Sequence, residues 1–192
     1  TMTAVYARKL MTEYLTLKTQ KGELTEEDKQ NLVVKTMNEI KPPELVDKYK
    51  LSDLNVVKDI SKESIKQYAD LMHFIFVDIE MPEMDEIEIF TALLDGIKKE
   101  DFKNVEASKN ALKQYVVLNK RILEAILSPS IPENLSKLHL EVVNGFNNIS
   151  LAVEDMAGAE NDPIKAMIGQ RIYTEQKLRI YNAMKNIQEV FN

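Results

Sequence analysis

The chain has no cysteine, and it has only two histidines, five glycines and six prolines. Without Cys there is no disulfide, no thiolate-built zinc site and no Cys nucleophile, while reducing and oxidising compartments both stay open. An all-β fold needs frequent turn signals, so the scarcity of Gly and Pro points to long helices. No apolar run approaches the ~20 residues that span a bilayer. Positive charge is short as well. The 25 Lys and Arg face 31 Asp and Glu, a net charge of −6, which argues against nucleic acid as a partner. There is no phosphate-cradling Gly-rich loop, dinucleotide fingerprint, HExxH or Gly-x-Ser-x-Gly elbow.

What is present is amphipathic periodicity. The 192 residues, 44% hydrophobic and 29% charged, suffice for one domain with a substantial core. The chain is organised around residues 129–163. There Leu135, Leu138, Val142, Phe146, Ile149, Val153 and Met156 recur at steps of three and four, which predicts a helix from Pro132 to about Ala157. Val142, Phe146 and Ile149 are expected to be nearly fully buried. Pro132 suits a first helical turn, and Gly158 suits a left-handed closing residue. Asp162-Pro163 reads as the N-cap and first turn of a last helix carrying Ile164, Met167, Ile168, Leu178, Tyr181, Met184, Ile187 and Phe191.

Upstream, Val5, Leu10, Met11, Tyr14, Leu15 and Leu17 form a loose helical pattern closed by Gly22. Thr25, followed by Glu26, Glu27 and Asp28, predicts an N-cap for a second helix that stops at Pro42-Pro43. Residues 1–41 therefore read as a helical hairpin. Residues 44–60 read as a packed connector: a short helix at Leu45, Val46 and Tyr49, a turn capped by Ser52, and an extended Asn55-Val56-Val57. Three more helices follow. One starts at Ser61 and ends near Met81-Pro82. Another runs from Met84 to Gly96. The third runs from Phe102 to Ser128-Pro129, with Asn119 in its apolar stripe. The predicted fold is all-α: a single antiparallel bundle of six to seven helices, with the 1–41 hairpin joined to a main bundle over 43–192.

Candidate chemistry is sparse. His139 lies at the edge of the organising stripe, with Asn147 further along that face. A metal ligand or proton shuttle is one reading; an imidazole hydrogen-bonded to a neighbouring helix is the other, and the absence of convergent ligands favours it. His73, with Met81 and Met84 nearby, raises a soft-metal site, although methionine at helical spacing is more commonly core. Asp78, Glu80, Glu83, Asp85, Glu86 and Glu88 crowd eleven residues without a base. They lack the alternation and turn glycine of a calcium loop. They read as a solvated turn, with a Lys- or Arg-bearing protein partner as the functional alternative. No cofactor is implied.

Tyr49-Lys50-Leu51-Ser52-Asp53-Leu54, Leu138-His139-Leu140 to Val143-Asn144, and Asp162-Pro163-Ile164-Lys165-Ala166 through Gly169 to Tyr173 add a resemblance. Over residues 43–192 the chain resembles a group of uncharacterised helical proteins of reduced-genome bacteria, which often carry one hydrophobic helix near the N-terminus. The resemblance implies a helical domain held outside the cytoplasmic membrane by an upstream anchor, and no catalytic residue. The first residue is Thr1 rather than Met, so a preceding anchor or signal peptide is compatible with the sequence. The expectation is a non-enzymatic extracytoplasmic domain that binds protein or serves envelope assembly. The alternative is a small-ligand carrier or enzyme with an inter-helix pocket containing His139 or His73.

Overall fold

The computed structural model describes residues 1–39, 45–77 and 84–190. Within them lie seven helices: α1 (Met2–Lys21), α2 (Glu26–Asn38), α3 (Lys62–Val77), α4 (Glu86–Lys98), α5 (Phe102–Leu127), α6 (Ser136–Ala157) and α7 (Pro163–Val190). Two short strands, β1 (Asn55–Val57) and β2 (Ser130–Pro132), pair in parallel with Asn55 opposite Ser130. The all-α bundle predicted from the periodicity is the observed architecture.

Helix α6 is the axis of the body. Its buried residues fall on every side, from Ser136 and His139 through Val142, Asn147 and Ile149 to Met156. Only Lys137, Leu151 and Glu154 of α6 are exposed, and the helix packs along both α7 and α5, so it lies between others for most of its length. Two hydrophobic clusters divide the core. One joins α4, the first half of α5 and the α6–α7 crossing, centred on Phe90, Leu93, Leu112, Val153 and Met156. The other gathers Tyr68, Met72, Ile126, Ile131, Leu135 and Val142 around the strand pair. Close approach of α6 and α7 depends on glycine. A Cβ on Gly169 would sit 2.7 Å from the Ala152 carbonyl oxygen, and one on Gly145 would meet Ile180 at 2.4 Å.

The local signals translate into caps. The Thr25 hydroxyl accepts the Asp28 N–H at 3.1 Å while the Asp28 carboxylate accepts the Thr25 N–H at 3.1 Å, a complete capping box. Gly22 ends α1 at φ 81°, the left-handed region that favours glycine. The connector is held by side-chain amides. Asn144 Oδ1 accepts the Tyr49 N–H at 2.9 Å, and its Nδ2 donates to the Tyr49 carbonyl at 3.1 Å, as a neighbouring strand would. Arg179 reaches across from α7, donating to both Asp47 oxygens at 2.8 and 2.7 Å. Its Nε also donates to Glu141 at 2.5 Å.

Several expectations need correction. Pro132 ends β2 instead of opening α6, because a 3₁₀ turn at Glu133–Leu135 intervenes. Gly158 closes α6 at φ −85°, so no left-handed cap is used. The residues around Leu45, Val46 and Tyr49 are not helical, and the Tyr49 backbone is bonded to Asn144 instead. The turn at Leu51–Asp53 opens at Lys50, whose N–H donates to Asp53 Oδ2 at 2.8 Å, rather than being capped by Ser52. Helix α4 runs through Gly96, which packs under Val105. Val142 and Ile149 are buried at 0% and 4%, but Phe146 is only partly covered. It turns away from the axis to stack on Phe76 at 5.8 Å between ring centres. Leu178 and Tyr181, read as core positions of the last helix, are exposed. The stops at Pro42-Pro43 and Met81-Pro82, with Phe191, lie outside the described residues.

Candidate functional site

The two histidines have opposite fates. His139 is fully buried, and its ring bridges two helices. Nε2 lies 2.7 Å from the Ile126 carbonyl and Nδ1 lies 2.8 Å from the Tyr68 hydroxyl. A carbonyl only accepts, so Nε2 carries the proton and Nδ1 accepts from Tyr68. Burial pulls the imidazole pKa down to about 4, against the opposing pull of the Ile126 carbonyl. His139 is a neutral core bridge with both nitrogens occupied. Asn147, further along α6, is also buried and donates to Asn148 Oδ1 at 3.2 Å. His73, by contrast, is exposed on α3, and Met84 is exposed where the described chain resumes. Met81 lies outside the described residues. Among the described residues no three His, Asp or Glu side chains converge as a metal site would require.

The acidic run is divided. Asp78, Glu80 and Glu83 lie outside the described residues. Asp85 Oδ1 accepts the N–H groups of Ile87 and Glu88, each at 2.9 Å, as the N-cap of α4, and Glu88 completes its capping box. Glu86 is not part of a solvated turn. It is 7% exposed and accepts the Tyr173 hydroxyl at 2.7 Å. The reason lies in spacing: Glu86 stands one turn before Ile89 and Phe90, on the face that α4 turns to the core.

The feature that the bundle does not account for is the hairpin. Helix α1 has no buried residue over 20 positions, and α2 buries only Leu32 and Thr36. Its attachment is local: Met2, Tyr6 and Met37 pack, partly buried, against the core, and polar bonds fix the start of α1. The Asp162 carboxylate accepts Met2 N–H at 2.7 Å, Thr3 N–H at 2.9 Å and the Thr3 hydroxyl at 2.6 Å. The same carboxylate accepts Lys165 N–H at 3.3 Å, so one aspartate caps α1 and α7 together. Burial would raise the Asp162 pKa, but the hydrogen bonds from Thr3, Met2 and Lys165 outweigh it and bring it down to about 2.

Beyond this junction the hairpin has two unlike sides. One is polar, lined by Glu13, Gln20, Lys21, Asp28 and Lys35. Lys21–Asp28 at 2.6 Å and Lys35–Glu13 at 3.3 Å tie the helices together there. The other is a groove of about 420 Å³ walled by Leu10, Met11, Tyr14, Leu32 and Val33, with Lys29 at its rim. Met11 is 57% exposed and Val33 43%. Arg8 and Lys18 flank Met11 on the same face of α1, three and seven residues away, so the apolar floor has a basic border. Neither makes an ion pair among the described residues. The sequence held one sign of this: the loose spread of apolar positions over α1, which no single buried stripe absorbs.

Fold and site together define an all-α helical domain with a protruding two-helix arm. No family model, curated protein or solved structure matches the chain. No described helix is long and apolar enough to cross a membrane.

Proposed function

We propose that the chain is a non-enzymatic protein-binding domain whose hairpin groove holds one amphipathic helix of a partner protein, its apolar face flanked by acidic residues. The carrying observation is α1, a 20-residue helix of about 30 Å without a buried side chain. Helices in water draw most of their stability from a packed amphipathic face, and α1 has only half of one. A helix laid into the groove covers Leu10, Met11, Tyr14 and Val33 together, and the border of Arg8 and Lys18 selects the charge of its flanks. The packed His139 and exposed His73 favour this reading over a histidine-centred pocket. The resemblance over residues 43–192 adds an extracytoplasmic, anchored setting to the proposal, which protease shaving of intact source cells tests.

The binding test selects displayed helical peptides on the full chain. The expected winners carry apolar residues at i, i+3, i+4 and i+7 with Asp or Glu beside them. They lose binding to the Met11→Asp, Val33→Asp double variant, and they weaken as salt rises. Winners indifferent to that variant overturn the groove. A concentration-dependent dimer broken by the same variant overturns the foreign partner and makes a second copy the occupant.

A further inference from the structure

A cavity of about 260 Å³ opens between helices α3 to α7, in the body and apart from the hairpin. Glu86, Asn119, Tyr173 and Lys177 bring polar groups to it, and Phe76 and Phe146 form an aromatic wall, with isoleucines and Tyr181 completing the lining. Its volume is near the small end of the ~300–1,000 Å³ typical of ligand pockets. Two of its polar groups are left wanting. Glu86 is 7% exposed, yet among the described residues its carboxylate has no cationic partner, only the neutral Tyr173 hydroxyl at 2.7 Å. Lys177 places its Nζ 5.1 Å from the centre of the Tyr173 ring and makes no ion pair with Glu86. Asn119 is 5% exposed, and its Nδ2 has no hydrogen-bond partner.

A buried carboxylate without a cation and a buried amide donor without an acceptor are both costly, the first far more so. Burial first, and then the adjacent Glu86 carboxylate, push the Tyr173 hydroxyl above the ordinary phenol range, so it remains the donor to Glu86. The unfilled requirements are therefore a cation at Glu86 and an acceptor at Asn119, beside an aromatic surface. A metal ion does not fit, because no third ligand joins them among the described residues. A carboxylic acid is repelled by Glu86. Water alone satisfies neither the charge nor the mainly apolar walls.

We propose that this cavity binds a small primary amine with an apolar, ring-sized body and one hydrogen-bond acceptor. The ammonium meets Glu86, the acceptor meets the Asn119 amide, and the body lies against Phe76 and Phe146. Aromatic faces also favour a cation over a neutral isostere.

Phenylalaninol carries all three features, 3-phenylpropan-1-ol lacks the amine, and 3-phenylpropionate reverses the charge. Each is titrated into the isotope-labelled full chain and followed by NMR. The amino alcohol is expected to shift the Asn119 side-chain amide and the Tyr173 ring saturably, and to bind about tenfold or more tighter than the neutral alcohol, with the acid silent. Glu86→Gln keeps the Tyr173 hydrogen bond and is expected to remove that preference. Asn119→Leu, close in size, is expected to weaken binding while the fold persists. The comparison of three ligands on the unaltered protein does not depend on either variant folding. Equal binding of amine and alcohol, an amine preference that survives Glu86→Gln, or no saturable shift at millimolar amine overturns the proposal.

Discussion

Helices α6 and α1 are nearly the same length, 22 and 20 residues, and sit in opposite environments. Fourteen residues of α6 are buried, whereas none of α1 is. Helix α6 even takes polar groups into the core: His139 bridges Tyr68 to Ile126 and Asn144 holds the Tyr49 backbone, while the Ser150 hydroxyl is left without a partner. Helix α1 leaves Val5, Met11 and Leu15 in water and joins the body at one end, through Asp162 and the partly buried Met2 and Tyr6. A polar side chain inside this protein is thus part of its framework, while an apolar one outside it marks a surface still lacking a partner. That first rule fails at the Ser150 hydroxyl and, beside a cavity large enough for a ligand, at Glu86 and Asn119.

The contrast is broken most directly by truncation on each side of it. Met156→Ala empties a fully buried site and is expected to cost ~2–5 kcal/mol. Urea unfolding followed by circular dichroism measures it, and a loss below ~1 kcal/mol would mean that α6 is not the axis of the core. Phe146→Ala, on the same helix but only partly covered, should cost distinctly less.

Acid tests α6 next. His139 folds with a pKa near 4, below its ordinary 6.5, so the unfolded chain binds the extra proton first. Its contribution is complete above about pH 6.5, declines as pH falls toward 4, and is flat below that. A shift of this size corresponds to about 3 kcal/mol. Melting curves between pH 7 and 4 should show the decline, and His139→Gln should flatten it. An unchanged slope in the variant would assign the acid sensitivity elsewhere.

Gly169→Ala sharpens the claim about helix approach. The added methyl meets a backbone carbonyl at 2.7 Å, which cannot rotate away, so the expected cost is ~1–3 kcal/mol. Gly22→Ala, at the open end of the hairpin, carries only the local penalty of its positive φ. Thermal melts of the pair should rank them in that order.

The hairpin predictions are smaller in global terms and larger in local ones. Asp162→Ala removes caps from two helices, each worth ~0.5–2 kcal/mol. Amide exchange should accelerate throughout α1 while the α5–α6 core stays protected. In the parent protein the same loosening is expected in acid. Asp162 folds with a pKa near 2, so its contribution is present above the unfolded value of about 3.9 and fades as pH falls toward 2. Met11→Ala should alter the stability of the free protein by no more than ~0.5 kcal/mol, since the side chain is more than half exposed. A larger loss would mean that α1 is already packed.

By itself, the sequence determined what depends on near neighbours along the chain. The three-and-four spacing of Val142, Ile149, Val153 and Met156 specifies α6, because helical geometry places those residues on one face whatever lies opposite. Thr25 with Asp28, and Gly22, specify the ends of the hairpin helices through bonds spanning three or four residues. Everything that depended on distant neighbours was decided by the tertiary structure. Asp162 was legible as the cap of α7 but not of α1, whose start lies about 160 residues away. Glu86 read as one of six surface carboxylates until Tyr173 closed over it. Asn119 showed only as a polar residue in an apolar stripe, and its orphaned amide exists because five helices meet around it. Burial is a property of what packs across a residue, and periodicity says which face will be covered without saying by what, or whether anything covers it at all.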